Sequence, residues 1–405
     1  MKPALDFSLS HFHRICLDFL SVTSYPRIRL FEIYRLEGRC HIVSTRQDPQ
    51  AAAPGKHFQQ QSLKILAVTS GQRGRSTFEK SDYYILRELG EVRCVHWTHF
   101  VKLRREMEWC DIIFRWFCDL PAWVACRMAR RLKKRFYVVA GGFDVESLPE
   151  IGYGLGQESM MDRWIVTRMR NTVLKRADAV LAVSQHTLDN AKALGASNPF
   201  LIYNAVDLSR FHFNENAPRR KRIVTQAWLN KLNYRAKGLS TFVRAAGAVQ
   251  SKFPDVEMIV LGRDSGGQKV LEQLAKEVHA QVEFRVIEDR EAYRKYLAES
   301  SVYVQASAVE SFGLSLAEAM ACGCYPVVTN RGALPEVAGL LSKSFEFDDV
   351  AALSEILCSL LECPISREDS KSIRAHIADH FSLKKRRTAL TELIGGHVKE
   401  EREKK

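Results

Sequence analysis

The chain has 405 residues, of which 46% are hydrophobic and 26% are charged. This length exceeds what one ordinary core requires and favours two domains, and the balance of residue types excludes a largely disordered protein. The formal net charge of +13 favours anionic partners such as phosphates, nucleic acid or an acidic membrane surface, without choosing among them.

The sequence predicts a cytoplasmic protein with free thiols. The most apolar stretch, residues 111–129, contains four charged side chains, which is too many for a membrane-spanning helix. Residues 1–25 lack the apolar block of a secretory signal. The ten cysteines include no C-x-x-C pair, which favours buried thiols over a disulfide or metal framework.

Residues 1–62 differ from the rest because they carry no clear alternation of strands and helices. They end in AAAPGKHFQQQ, which is typical of a linker, so we expect an N-terminal extension, with disorder as one alternative. From Leu63 onward the pattern predicts strands at residues 63–70, 110–117, 135–142, 177–184 and 199–205. Helices are expected through residues 83–86 and at 121–134, 160–176 and 185–194.

The alternation restarts after a polar, charged break at residues 204–222. Strands are predicted at residues 222–228, 256–262, 282–287, 301–307 and 325–330. Helices are predicted at residues 238–252, 268–279, 290–299, 313–322 and 350–362. This order indicates the α/β class, with two doubly wound, Rossmann-like domains that face each other across a ligand-binding cleft. We assign the domains to residues 63–212 and 213–382, and a last helix with a charged tail to residues 383–405.

The segment ESFGLSLAEAMACGCYPVV at residues 310–328 follows a predicted strand and opens a predicted helix. Unpaired backbone N–H groups at the helix start would form an anion site together with the helix dipole. These groups belong to Ser311, Phe312, Gly313 and Leu314. Glu310 stands before them and Glu318 lies within the helix, with seven residues between the two glutamates. Carboxylates beside an anion site are suited to accept hydrogen bonds from sugar and ribose hydroxyls.

This segment resembles the signature of the family 4 glycosyltransferases, E-S-F-G-x-x-x-x-E-A-M-A-x-G, which it matches throughout. The resemblance covers about residues 63–394. It implies the two-domain GT-B fold and retaining transfer of a sugar from a nucleotide diphosphate donor. It also implies that Glu310 contacts the transferred sugar, Glu318 the ribose, and the amides of residues 311–314 the diphosphate. An ordinary acidic helix start is the alternative for the two glutamates.

A second candidate element, KLNYRAKGLSTFVRAA, occupies residues 231–246 and places Lys237 and Gly238 directly before a helix. A cation there would offset the charge of a departing diphosphate, so we expect Lys237 to be catalytic. Members of the resembled family usually carry an Arg a few residues before the Lys-Gly pair. In this chain Lys231 and Arg235 stand nearest, and both are predicted to bind the donor. A solvated basic turn is the alternative for Lys237.

The first domain departs from the family at one motif. Family members often carry His-Gly-x-Asp-Val, whereas residues 141–145 read GGFDV, with Gly141 in the place of the His. Asp144 is retained and is expected to bind the acceptor or a sugar hydroxyl, with a simple helix cap or turn residue as the alternative. The resemblance also places the loop after the first strand, with Gly74, near the donor phosphates. The missing His leaves the donor sugar open.

The expected reaction needs no metal, because no Asp-x-Asp motif stands at a strand end in the second domain. It needs no cofactor beyond a nucleotide diphosphate sugar as co-substrate. The acceptor is expected to be a glycan or lipid-linked, with no nucleic acid. The basic segment at residues 127–135 suits peripheral contact with the anionic inner face of a membrane. Two alternatives are a sugar-nucleotide epimerase of the same fold and a non-enzymatic, basic nucleic-acid-binding protein.

Overall fold

A computed structural model describes residues 63–70, 76–151, 153–154, 160–213, 219–230, 233–287 and 289–403. The expected extension at residues 1–62 lies outside these ranges, and so do Gly74 and Lys231. The predictions made for them stay predictions.

The first domain contains a six-stranded sheet and a short hairpin. The strands are β1 Leu63–Thr69, β2 Gly90–His96, β3 Ile112–Trp116, β4 Arg135–Ala140, the hairpin strands β5 Ser147–Leu148 and β6 Tyr153–Gly154, β7 Ala179–Ala182 and β8 Pro199–Leu201. The sheet order is β2-β1-β3-β4-β7-β8, and all neighbouring strands are parallel. The described helices of this half are α1 Thr77–Leu89, α2 Phe100–Trp109, α3 Leu120–Arg131, α4 Met160–Arg176 and α5 Gln185–Ala193.

Local sequence explains where these elements begin. The residues of β3 and β7 are all buried, as expected for central strands of a parallel sheet with helices on both faces. Asp119 caps α3 by accepting a hydrogen bond from the backbone N–H of Ala122 at 3.0 Å. Ser184 caps α5 in the same way, through the N–H of Thr187 at 3.0 Å. These caps fix the helix starts at the carboxyl edge of the sheet.

The second domain repeats this architecture. Its strands are β9 Arg220–Gln226, β10 Leu229–Asn230, β11 Glu257–Gly262, β12 Asp264–Ser265, β13 Val282–Val286, β14 Ser300–Gln305, β15 Tyr325–Thr329 and β16 Lys343–Phe345. The main sheet has the order β13-β11-β9-β14-β15-β16 and is parallel throughout, while β10 and β12 pair separately. The helices are α6 Asn233–Ala236, α7 Leu239–Gln250, α8 Gln268–Glu277, α9 Arg290–Glu299, α10 Leu314–Ala321, α11 Leu334–Ala338 and α12 Val350–Glu362.

Two C-terminal helices, α13 Arg367–Phe381 and α14 Leu383–Glu403, complete the fold. Helix α14 returns to the first domain, where the Arg386 guanidinium pairs with Asp82 of α1 at 2.5 and 2.7 Å. The same guanidinium donates to the backbone carbonyls of Ile202 and Tyr203. The predicted closing helix thus packs on the first domain. It is also longer than expected.

Some elements differ from the sequence prediction. Strand β2 and helix α2 were not among the predicted elements, and β2 alternates half-buried and exposed residues up to Cys94 because it is an edge strand. Helix α13 was also missed. None of the described helices combines the length and apolarity needed to cross a membrane.

Candidate active site

The segment at residues 310–314 lies at the carboxyl end of the second sheet, between β14 and α10. Gly313 holds the N-cap position of α10 with φ +85°, a left-handed conformation that favours glycine. The Phe312 side chain is buried and packs edge-to-face on Phe381 of α13, so this side chain belongs to the core. The structure thus brings the predicted residues 310–314 together at one helix start.

The second domain also brings Lys237 to Glu310, although 73 positions separate them. The Lys237 Nζ lies 2.5 Å from the Glu310 Oε1, and both side chains are half-buried. Lys237 directly follows α6, and Gly238 caps the start of α7 in a left-handed conformation, φ +61°. A Cβ atom at Gly238 would overlap the backbone of Ala306, so glycine is required for this close approach.

A hydrogen-bond network from β14 and the loop that follows it orients the Glu310 side chain. Its Oε1 accepts from Ser307 Oγ at 2.8 Å and from Gln305 Nε2 at 3.0 Å. The Gln305 Oε1 in turn accepts from the hydroxyls of Tyr303 and Ser315, each at 3.1 Å. Sequence reasoning missed these residues. Tyr303 and Gln305 lie two positions apart on β14, and Ser307 lies in the loop after this strand, so no motif marked the three residues as a set.

A further glycine supports the same loop. Gly332 has φ +58°, and a Cβ there would overlap the backbone of Glu310. The Glu310 carbonyl accepts a hydrogen bond from the N–H of Ala333 at 2.8 Å. The segment at residues 331–333 therefore braces the backbone of Glu310, a contact for which no motif was recognised in the sequence.

Glu318 is buried within α10, and it lies near Tyr293 and Arg290 of α9. Burial raises the pKa of its carboxyl to about 7, while the nearby Arg290 and Tyr293 oppose this rise. Arg290 also bonds to Thr77 Oγ1 of the first domain. Glu318 is thus a carboxyl group that can change its charge near neutral pH.

Arg235 lies apart from the Lys237–Glu310 pair. Its side chain is exposed, and its Nε donates to the hydroxyl of the neighbouring Tyr234 at 3.2 Å. Among the described residues, no hydrogen bond or ion pair joins the Arg235 side chain to Glu310 or Lys237, and its role as a donor ligand stays a prediction.

Asp144 holds the first-domain loop that faces the site. The residue is fully buried, and its two oxygens accept from the N–H groups of Cys118 at 2.7 Å and Gly142 at 2.8 Å. Burial raises the pKa of its carboxyl, and the two amides oppose this rise. This geometry fits the alternative of a turn residue, because a buried carboxylate with both oxygens engaged positions its loop and does not reach a ligand.

The two domains meet at this loop. Gly142, with φ +114°, lies so close to Ser311 that a Cβ would overlap the serine side chain. The Ser311 carbonyl accepts from Thr187 Oγ1 at 3.1 Å, and Glu336 accepts from the Gln185 N–H at 2.9 and 3.0 Å. Ser311 of the predicted anion site is therefore covered by the first domain.

A polar group from the first domain lies beside these contacts. The Tyr153 hydroxyl bonds to Ser311, and burial raises the pKa of its phenol with the help of the nearby Glu310 and Glu146 carboxylates. Glu146 also pairs with His186 Nε2 at 2.9 Å, which raises the pKa of that imidazole. Across the described ranges, no three His, Cys, Asp or Glu side chains come together as a metal site.

Two family models match the chain. The model described as Glycosyltransferase Family 4 matches residues 55–210, and the model described as Glycosyl transferases group 1 matches residues 211–375.

Among curated proteins, a phosphatidyl-myo-inositol mannosyltransferase of Propionibacterium freudenreichii is 28% identical over 49% of this chain and 51% of its own length. One subunit of the human phosphatidylinositol N-acetylglucosaminyltransferase is 26% identical over 39% of this chain and 33% of its own length. The chain spans about half the length of the first of these relatives and a third of the second.

Solved structures share the fold. Anabaena HepE in complex with UDP superposes with a TM-score of 0.67 at 15% identity, over 82% of this chain and all of that one. Sucrose-phosphate synthase from Thermosynechococcus elongatus gives 0.67 at 17% identity, over 83% of this chain and 99% of that one. These similarities confirm the predicted GT-B fold. Because the two family models together match residues 55–375, the chain belongs to the family 4, or group 1, glycosyltransferases.

Proposed function

We propose that this protein transfers a hexose from a nucleotide diphosphate sugar to a hydroxyl group of a glycan or lipid-linked acceptor, with retention of configuration. The observation that carries the proposal is the Lys237–Glu310 pair at 2.5 Å, directly before the amides of residues 311–314. A cation, a carboxylate and a helix N-terminus at one point suit a phosphorylated sugar. The UDP in the HepE complex and the lipid acceptors in the names of the two curated relatives agree with this choice.

In the proposed reaction, the bond between the sugar C1 and the diphosphate oxygen breaks, and a bond from C1 to the acceptor oxygen forms on the same face. The acceptor proton passes to the departing phosphate oxygen. Lys237 and the amides of residues 311–314 offset the charge that develops on that phosphate. Within the described residues, the hydrogen bonds to the Glu310 side chain go to Oε1, which leaves Oε2 to accept from a sugar hydroxyl.

The proposed reaction uses no divalent metal, since Lys237 and the helix dipole supply the positive charge. We expect activity to survive excess EDTA. Complete loss with EDTA, followed by recovery with Mg²⁺ or Mn²⁺, would contradict this part of the proposal.

The direct test combines binding and turnover. Thermal unfolding is measured with UDP-, GDP- and ADP-linked sugars, because a ligand at about 100 times its Kd stabilises a protein by about 2.7 kcal/mol. The sugar that stabilises most is then used for donor hydrolysis and transfer. Glu310→Gln should abolish turnover and keep the thermal midpoint without ligand, whereas Glu291→Gln, on an exposed side chain of α9, should change neither. Wild-type rates in Glu310→Gln would contradict the assignment of Glu310 to the active site.

A basic face on the first domain supports a membrane-bound acceptor. Residues 120–134 and 160–176, which include the mutually packed helices α3 and α4, carry ten Lys and Arg residues against one Asp, and of these cations Arg170 alone is buried. Trp164 and Met161 of α4 are 61% and 59% exposed, and Arg168 lies over the Trp164 ring. Cations beside exposed aromatic and apolar groups suit the anionic surface of a bilayer. We therefore propose a cytoplasmic protein that binds peripherally to the inner membrane face.

Vesicle flotation tests this face. Binding to vesicles with phosphatidylglycerol, and not to pure phosphatidylcholine, is expected. The double change Arg127→Glu and Arg168→Glu should weaken it about tenfold or more, since each cation near such a surface contributes about 1 kcal/mol. The matched pair Arg244→Glu and Lys269→Glu, exposed on the second domain, should leave binding unchanged. Binding to duplex RNA without binding to vesicles would favour the nucleic-acid alternative.

A further inference from the structure

We propose that Phe117 and Phe143 form a platform for a pyranose ring on the first-domain side of the candidate active site. This inference rests on the proposed sugar transfer. It names a substrate contact that neither the family motifs nor the predicted site residues include.

The platform lies where a ligand of this fold would be found. Phe117 directly follows β3 and residues 141–143 directly follow β4, and these strands are parallel neighbours in the middle of the sheet. The Phe117 N–H donates to the Val139 carbonyl at 2.8 Å, so the pairing of β3 with β4 continues to Phe117. Both segments therefore open at the carboxyl edge of the sheet, where α/β domains bind ligands.

The ring of Phe117 occupies the space of an absent side chain. A Cβ at Gly141 would overlap the Cε1 atom of Phe117 and lie 2.6 Å from its Cδ1. The next residue, Gly142, contacts Ser311 of the second domain. Gly141 is thus small because Phe117 fills its place, one residue from the interdomain contact.

The backbone of Phe117 is held in an unfavourable conformation. Its φ is +70°, which is an outlier for a bulky residue. The buried Asp144 joins this loop to its neighbour, because it accepts from both the Cys118 and the Gly142 N–H groups. Strained residues that are held by surrounding hydrogen bonds cluster at binding sites, so the strain points to a ligand.

The rings present an apolar face beside a polar site. Phe143 is 37% exposed and stands at 72° to Phe117, with ring centroids 5.7 Å apart. Phe78 and Trp116 also pack against the half-buried Phe117, with ring centroids 6.0 and 5.7 Å from its own. The negative face of an aromatic ring attracts the C–H hydrogens on the apolar face of a pyranose. The sugar is either the one on the donor or one on the acceptor.

The experiment compares sugar nucleotides with bare nucleotides. Calorimetry gives the Kd values of UDP-glucose and GDP-mannose and those of UDP and GDP, for the wild type, Phe117→Leu and Phe143→Ala. We expect both variants to weaken binding of the sugar nucleotide roughly threefold to tenfold, the scale of one aromatic contact, with the bare nucleotide unchanged. Tyr84→Ala, at an exposed ring on α1, is the matched control and should change neither value. Phe143→Ala keeps the test valid if Phe117→Leu fails to fold.

The outcomes separate the two sources of the sugar and the two proposals. Saturation-transfer NMR measures the binding of methyl α-mannoside and methyl α-glucoside. If the variants lose only this binding, the platform holds the acceptor sugar. If folded variants bind all these probes like the wild type, the platform is refuted while the proposed transfer stands. If the wild type binds no nucleotide sugar, the proposed function fails and takes the platform with it.

Discussion

Glu310 gathers three donors on one carboxylate oxygen, and these come from three different places in the chain. Lys237 reaches it from the loop before α7, Gln305 from the end of β14, and Ser307 from the loop that follows. The family resemblance selected Glu310 and Lys237 separately, but their separation along the chain gave no reason to pair them. The supporting residues could only be found from the fold, because Gln and Ser at a strand end carry no motif of their own.

The Lys237 pair leads to a prediction about the reaction barrier. Lys237→Ala should lower turnover by roughly 10²–10³, since removing one preorganised charge from such a site costs about 2.7–4 kcal/mol. Binding of the nucleoside monophosphate should change little. Lys237→Arg should recover only part of the rate, because a planar fork replaces a point charge. Steady-state kinetics with Arg235→Ala as control decides the matter. Arg235 is exposed, so a loss in that variant equal to the loss in Lys237→Ala would contradict the assignment.

Glu318 predicts a pH dependence of donor binding. Burial raises the pKa of its carboxyl to about 7 from an ordinary 4.5. Ribose hydroxyls donate to the ionised form, so the Kd of the sugar nucleotide should fall as pH rises from 6 to 8 and then level off. The sign for folding is opposite: the folded carboxyl binds its proton more tightly than the unfolded one, so the unliganded protein loses stability as pH rises from about 4.5 through 7.

Calorimetry across this pH range measures the effect on the Kd. Glu318→Gln should bind more weakly than the wild type above pH 7 and should lose the pH dependence. An unchanged slope in that variant would assign the pH dependence to another group, such as His186, whose pKa is raised by Glu146.

At the scale of elements, hydrophobic runs predicted the central strands and the edge strands β8 and β13, but not the edge strands β2 and β16. Strands β3 and β7 are buried throughout and are apolar apart from Arg115 in β3. The edge strand β2, GEVRCVH, mixes charged and apolar residues because one side meets solvent. Helix α13 did carry a signal, since Ser366 and Asp369 form a capping box at its start. Its apolar residues are sparse, and the pattern was therefore overlooked.

Helix α14 predicts a large stability effect from one residue. The Arg386–Asp82 pair is almost completely buried, and breaking such a pair typically costs about 3–5 kcal/mol because a charge stays buried without its partner. Arg386→Ala should lower the free energy of unfolding by this amount in urea titrations. The neighbouring Arg387 is half exposed and pairs with Glu88, so Arg387→Ala should cost about 1 kcal/mol or less. Similar losses in both variants would contradict the role of burial.

At the scale of the whole molecule, the two domains share buried apolar contacts as well as the loop contacts beside the site. The largest cluster of buried apolar side chains contains residues of both sheets and of α13 and α14. The sequence predicted two sheets with a break near residues 204–222, and both sheets are present. It could not predict which loops touch, because Gly142 and Ser311 meet only after both domains have folded and docked.

The contact between Gly142 and Ser311 predicts that one methyl group can hold the domains apart. In Gly142→Ala the new Cβ would overlap the Ser311 side chain, so the two loops cannot approach as they do in the wild type. Turnover should fall strongly, while binding of the bare nucleotide, which the proposed site places on the second domain, should remain. Gly195→Ala is the control that separates the effect of backbone strain in a non-glycine residue from the effect of the overlap with Ser311. Gly195 also has positive φ, +85°, but it meets only the flexible Lys175 side chain on an outer turn. That control should lose about 1–2 kcal/mol of stability and keep its rate.

The double change Gly142→Ala and Ser311→Gly removes the overlapping atoms and should restore part of the turnover. A Gly142→Ala variant with the wild-type rate would mean that the reaction does not need this contact.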